Sequence, residues 1–164
     1  MAKKYIELLN GKLANKEATV ASAGAANSGE IVALDSTGKI DVSVLPVGVG
    51  PDVKLLETSE DLLAGQYVNI FDVSGTPKVR LADASNGRDA HGFVKEAYLS
   101  GATATVYFEG PNDDLSALTI GGRVYLNTAG TVTQSPRSTG IHQFLGIAIS
   151  ATEVNTDIDD CVLL

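Results

Sequence analysis

Residues 121–133 read GGRVYLNTAGTVT, and residues 29–40 read GEIVALDSTGKI. Aligned without a gap, Gly29 falls on Gly121, Val32 on Val124, Leu34 on Leu126, Gly38 on Gly130 and Ile40 on Val132. A third copy, with one extra residue in its turn, begins at Gly65 as GQYVNIFDVSGTPKV; Val68 and Ile70 take the apolar places and Gly75 the second glycine. Apolar residues two apart on either side of a polar, glycine-containing break are the pattern of a β-hairpin with one buried face. Such turns need positive φ, which glycine adopts without steric cost, so Gly38, Gly75 and Gly130 are predicted to mark hairpin turns.

The copies at Gly65 and Gly121 share more than a hairpin. The first is followed by the loop ADASNGRDAH and the strand-like GFVKEAYL, the second by SPRSTGIHQF and then LGIAIS. Each half ends in another alternating stretch, residues 103–109 and residues 155–162. The unequal spacing of the copies rules out a solenoid of fixed period and fits two related halves of one sheet system. Composition agrees: the 164 residues are 44% hydrophobic with no Trp and one Met, the apolar content being Val, Ile, Leu and Ala punctuated by 17 Gly, which suits short strands and many turns. The expected fold is mainly β, a compact β-barrel or β-sandwich built from hairpins, with an extended N-terminal arm and little helix. Short helices are expected at residues 5–9, at 58–63 with Thr58 or Ser59 as cap, and at 112–118 with Asn112 or Asp113 as cap.

The amino-terminal region has a different texture. Residues 18–29, ATVASAGAANSG, are small and polar and read as an extended connector. Before them Lys3, Lys4, Lys12 and Lys16 outnumber Glu7 and Glu17, a formal +2 in a chain whose net charge is −8, so the remainder carries −10. Three segments are therefore expected: residues 1–28 as arm and connector, 29–58 as an extension with the first hairpin, and 59–164 as a β-body. The first segment is broken by Glu7, Asn10 and Lys12, so it does not read as a signal peptide, and no apolar run is long enough to span a bilayer. Synthesis in the cytoplasm is the expectation, and the lone Cys161, without an intrachain partner, is expected to be a packing residue near the end of a terminal strand.

Catalytic residues are scarce. The histidines are His91 and His142; both precede glycine-containing strand starts and are expected to be structural, and no Gly-x-Ser-x-Gly elbow surrounds a serine. Asn155, Asp157 and Asp159 alternate as in the opening of a calcium loop, but Asp160 stands where that loop needs its glycine. On a strand they would form its solvent face. A body of −10 repels phosphate, and Tyr67, Phe71, Phe93, Tyr98, Tyr107, Phe108 and Tyr125 mostly alternate as core residues do, which disfavours nucleic acid. The expectation is a protein of assembly or binding, with no catalytic residue, no cofactor, no metal, no nucleic-acid partner and no membrane partner.

The strings GQYVNIFDVSGTPKVRLADASNGRDAHGFVKEA and GGRVYLNTAGTVTQSPRSTGIHQFLGIAISATEVNTDI resemble the head decoration, or capsid cement, proteins of tailed bacteriophages. The matching positions are Gly65, Val68, Val79, Ala82, Ala84, Gly92 and Val94, then Gly121, Val124, Tyr125, Leu126, Val132, Leu145, Gly146 and Ser150. The resemblance covers roughly residues 60–164. It implies a virion structural protein on the outer surface of the capsid, partnered by the major capsid protein and by itself as a homotrimer, and stabilising the shell. Residues 29–46 also resemble a stretch of phage tail and fibre components, through Gly38, Lys39, Ile40, Asp41, Leu45 and Pro46. That points to the alternative, a phage fibre or tail-associated receptor-binding module. In the decoration reading the arm would meet the capsid through Lys3, Lys4, Tyr5, Ile6, Leu8 and Leu9, by adding a strand to a neighbouring sheet or entering a groove.

Overall fold

The computed structural model describes residues 3–45, 50 and 52–164, and the chain divides into two compact units, Met1–Gly50 and Pro51–Leu164. The division falls between Gly50 and Pro51, inside the segment expected as one extension. Pro46 of the fibre-like stretch lies outside the described residues.

The first unit holds β1 (Lys4–Leu9) and β2 (Lys12–Glu17), paired antiparallel from Lys4↔Glu17 to Leu9↔Lys12. The short helix expected at residues 5–9 is thus a strand, and the extended arm is folded back into a hairpin. Asn10 and Gly11 both have positive φ, 50° and 76°, the geometry of a two-residue hairpin turn. Residues 18–29 carry a 3-10 turn at Gly24–Asn27. Residues 29–40 form no hairpin. Val32 makes one parallel bridge to Thr19, and Asp35 Oδ1 accepts from the Thr37 and Lys39 N–H groups at 2.8 and 2.9 Å. The side chain takes the donors a ladder would use, and a closed loop with Gly38 near its tip replaces the strands.

The second unit begins with β3 (Val53–Thr58), β4 (Tyr67–Val73), β5 (Thr76–Leu81), β6 (Gly92–Phe93) and β7 (Thr103–Tyr107). These close into a barrel in the order β3-β5-β4-β6-β7. Closure uses a short parallel pairing, Glu57↔Lys78 and Thr58↔Val79, and a long antiparallel one between β3 and β7. Leu56, Leu62, Val68, Val79, Val94, Ala104 and Val106 fill the interior. After it come β8 (Gly110–Asn112), β9 (Arg123–Leu126), β10 (Val132–Thr133), β11 (Ile141–His142), β12 (Phe144–Ala148), β13 (Val154–Thr156) and β14 (Val162–Leu163). Five of them form an open sheet in the order β10-β9-β12-β13-β8, and β11 pairs with β14. Residues 58–63 and 112–118 hold no helix.

Barrel and sheet share a core of Tyr67, Ala82, Ala84, Ala90, Phe93, Leu126, Ile141 and Leu145. Both faces of β4 are buried at its start: Val68 lies among the barrel interior and Tyr67 among the shared core. The Tyr67 hydroxyl hydrogen-bonds the Thr156 hydroxyl at 3.0 Å, and burial pushes its pKa up.

The equivalent turns of the two repeats have different surroundings. Gly75 is at an open tip, whereas a Cβ on Gly130 would meet the Tyr67 carbonyl oxygen at 2.8 Å. Gly130 is tied in on both sides: its N–H donates to the Ala82 carbonyl at 2.6 Å, and its own carbonyl accepts from the Tyr67 N–H at 2.9 Å. The turn of the sheet's hairpin is therefore built against the barrel.

Gly130→Ala is expected to destabilise by about 2–4 kcal/mol, combining left-handed strain with overpacking, against about 1 kcal/mol for Gly75→Ala. Denaturant unfolding of the two variants, followed by tyrosine fluorescence, compares them directly. Tyr67→Phe leaves the Thr156 hydroxyl without its partner and is expected to cost about 1–2 kcal/mol in the same assay.

Candidate functional site

Alternation along β1 and β2 sorts their side chains onto two faces. One carries Lys4, Ile6 and Leu8 opposite Glu17, Asn15 and Leu13; the other carries Tyr5, Glu7 and Leu9 opposite Lys16, Ala14 and Lys12. On the second face Tyr5, Glu7, Ala14 and Lys16 are half-buried. Lys16 Nζ lies 3.7 Å from carboxylate oxygens of both Glu7 and Glu30, and chiefly the Glu7 charge pushes its pKa up. The first face is open throughout, with Ile6, Leu8 and Leu13 exposed at 67%, 72% and 77%. Of the residues expected to meet a capsid, Ile6 and Leu8 share this open face with Lys4. Tyr5 and Leu9 lie on the other, and Lys3 is exposed just before β1. The dipeptide Asn10-Gly11 between two apolar-containing runs is the sequence signal for this hairpin.

Lack of a core marks the whole first unit. Among its described residues Ala33 alone is buried, while Val20, Ile31, Val32, Leu34, Ile40 and Val42 are exposed. Polar contacts hold it instead. Glu30 accepts from the Thr19 hydroxyl and, at 2.8 Å, from Asn27 Nδ2. Asp41 caps the 3-10 turn Val42–Val44 by accepting from the Ser43 N–H at 2.9 Å. The Thr19 bond, then the Asn27 bond and the Lys16 charge, hold the Glu30 carboxyl below the usual range. The Ser43 hydroxyl and amide do the same for Asp41.

In the second unit both histidines make structural contacts. His91 Nδ1 accepts from the Ile70 N–H at 2.9 Å, which leaves the proton on Nε2, 3.1 Å from Asp89 Oδ2. Nδ1 thereby ties β4 to the segment before β6, and the Nε2 contact stays within that segment. His142 lies against Tyr125 with ring centroids 4.6 Å apart. A cleft of about 770 Å³ is lined by His91 together with Asp89, Glu109, Asp157, Asp159 and Asp160, and by Cys161, which is exposed rather than packed as expected. Asn155 belongs to β13, while the Asp157 and Asp159 N–H groups donate to the Leu145 and Phe144 carbonyls. Among the described residues no group of three or more His, Cys, Asp or Glu is placed to hold a metal ion, and no helix is long and apolar enough to cross a membrane.

No family model matches the chain, and no curated protein matches it. Among solved structures it is similar to the head fiber gp8.5 N base of bacteriophage phi29, with 10% sequence identity and a TM-score of 0.46 over 68% of this chain and 92% of that one. A likeness at this level fixes neither the fold nor the role of this chain.

Because the Glu30 carboxyl is held low in the folded unit, its contribution is fully present above the ordinary glutamate pKa and is lost as pH falls through the lowered value. Acid titration of the amide NMR spectrum is therefore expected to move Thr19, Asn27 and Ile31 together, below the normal glutamate range, and Glu30→Gln to abolish that transition.

Proposed function

We propose that the chain is a bacteriophage virion structural protein that decorates the outer capsid lattice as a homotrimer and stabilises it. The observation that carries the reading is the split between a self-sufficient acidic β-body and an amino-terminal unit that exposes apolar side chains with almost no core. A body with three hydrophobic clusters has a core of its own, whereas a surface of this kind gains its stability by covering something else. The positions resembling cement proteins support the body's part. Gly65, Val68, Val79, Ala82, Ala84, Gly92, Val94, Val124, Leu126, Leu145 and Gly146 are all buried, so the resemblance lies in the framework.

No catalytic role is assigned. His142 lies in a tilted contact with Tyr125, and His91, though it lines the acidic cleft, uses Nδ1 on the Ile70 N–H, while the cleft's carboxylates repel anionic substrates. In this reading Lys3 and the exposed Leu9 meet a partly apolar groove with a small local acidic patch on the major capsid protein. Three such contacts on one trimer raise avidity by roughly a hundredfold over one, which lets individually weak docking hold. A fibre or tail-associated receptor-binding module is the second reading. It is favoured by the stretch Gly38 to Leu45, whose loop and capped turn stand on the surface of the first unit.

Virions of the phage that encodes the chain, labelled with antibody to the β-body, are expected to show label at regular positions over the whole head. Lys3→Glu/Leu9→Asp is expected to lower occupancy by roughly tenfold or more. Label confined to fibres or tail would transfer the assignment to the second reading. Virions without the chain would end both.

A further inference from the structure

We propose that the open face of the amino-terminal hairpin packs against the same face of other copies of this chain, in an end-matched ring. This deepens the self-association in the reading above and rests on it. Ile6, Leu8 and Leu13 are each about two-thirds or more exposed, and a two-stranded hairpin is marginal in water unless a face is covered.

Charge identifies the occupant. Lys3, Lys4, Lys12, Lys16 and Lys39 are balanced within the first unit by Glu7, Glu17, Glu30, Asp35 and Asp41, so residues 51–164 carry the whole −8. A strongly acidic partner would be repelled by that body, and a strongly basic one would be drawn to the body in preference to the neutral hairpin. A second neutral hairpin meets neither problem.

The face is also graded along its length. Leu8 opposes Leu13 beside the turn, Ile6 opposes Asn15 in the middle, and Lys4 opposes Glu17 at the open end, their charged atoms 3.8 Å apart. Packing two faces head to foot would bury the Lys4–Glu17 pair against leucine, and the desolvation of such a pair is costly. Packing them end-matched keeps leucine on leucine. It also lets Lys4 on the β1 side of one copy reach Glu17 on the β2 side of the next, a head-to-tail contact that closes as a ring.

The test is sedimentation equilibrium of the full chain over a wide concentration range. Wild type is expected to run as a multimer and Leu8→Asp/Leu13→Asp with the mass of one chain, with near-ultraviolet circular dichroism of the β-body unchanged. Leu13→Ser is the milder variant should the double substitution disturb folding, and it is expected to weaken association by at least tenfold. In a Cys161→Ser background, mixed Leu8→Cys and Leu13→Cys chains are expected to cross-link on oxidation, and Leu8→Cys with Glu17→Cys chains are not.

The proposal is overturned by a wild-type monomer at all concentrations, including one whose hairpin amides are protected by its own body. It is equally overturned by a double variant that keeps the wild-type mass. A monomer that still occupies virions would remove the hairpin ring and the trimer and leave capsid decoration in place. A hairpin-dependent multimer absent from virions would do the reverse.

Discussion

Tyr67 ties the second unit together because one residue satisfies three separate demands. Its backbone N–H is paired to Gly130 in the turn of the sheet's hairpin, its ring belongs to the shared core, and its hydroxyl reaches Thr156 on the far side of that core. A buried phenol leaves either a satisfied hydroxyl or a penalty of about 1–3 kcal/mol, so the distance between β4 and β13 is set by that bond. Phe93 packs beside it with ring centroids 5.8 Å apart, and Tyr107 stacks on Phe93 at 5.6 Å. The aromatic row runs from the shared core to the barrel wall, and barrel and sheet are consequently joined by packing as well as by chain.

The sheet pays for its geometry at a bulge. Pairing of β12 with β9 shifts register between Phe144 and Gly146. A Cβ on Gly146 would meet the Asn155 carbonyl oxygen at 2.2 Å, so β13 can approach only because that side chain is missing. The shift re-aims β12 so that Leu145 enters the shared core while Ala148 joins Val124 and Val154 in a separate cluster. One irregular residue thus lets a five-residue strand serve two cores.

Much of this was legible in the sequence and some was not, for identifiable reasons. The turns at Gly75 and Gly130 follow from glycine's tolerance of positive φ, and strand alternation around Val68, Ile70 and Val124 follows from the period of two. What alternation could not show was that β4 is buried on both faces, since Tyr67 and Asn69 face other elements that no local pattern encodes. The copy at Gly29 has the same pattern as the one at Gly121, yet Val32 makes an isolated parallel bridge to Thr19 in place of a hairpin ladder, and Asp35 captures the amides of Thr37 and Lys39. Conversely the hairpin of β1 and β2 was hidden by helix-compatible residues in YIELL, although Asn10-Gly11 carried the stronger signal. Helical propensity at residues 58–63 and 112–118 lost to tertiary pairing: Leu62 bridges Tyr98, and Asn112 pairs with Val154. The candidate site was legible in its residues but not in its faces. Lys4, Ile6 and Leu8 fall together only because β1 is a strand, and Leu13 joins them only through register.

The partition of charge explains why the two units differ so much in core. A body at −8 has three apolar clusters inside and carboxylates outside, and although side chains such as Leu55, Leu99, Ile120 and Leu163 are also exposed, its charge opposes contact between copies. The same surface is a poor glue, because bringing two such bodies together costs repulsion over about a Debye length of 8 Å at physiological ionic strength. The self-association proposed above therefore draws on the part of the chain without net charge, the first unit, with balanced lysines and carboxylates around exposed Ile, Leu and Val. Its polar network does not compete with that role. Glu30, Asp35 and Asp41 satisfy backbone and hydroxyl donors locally, which fixes loops without using the apolar side chains. A unit shaped by hydrogen bonds, with its apolar groups left outside, is shaped before it meets a partner and loses less conformational entropy when it does.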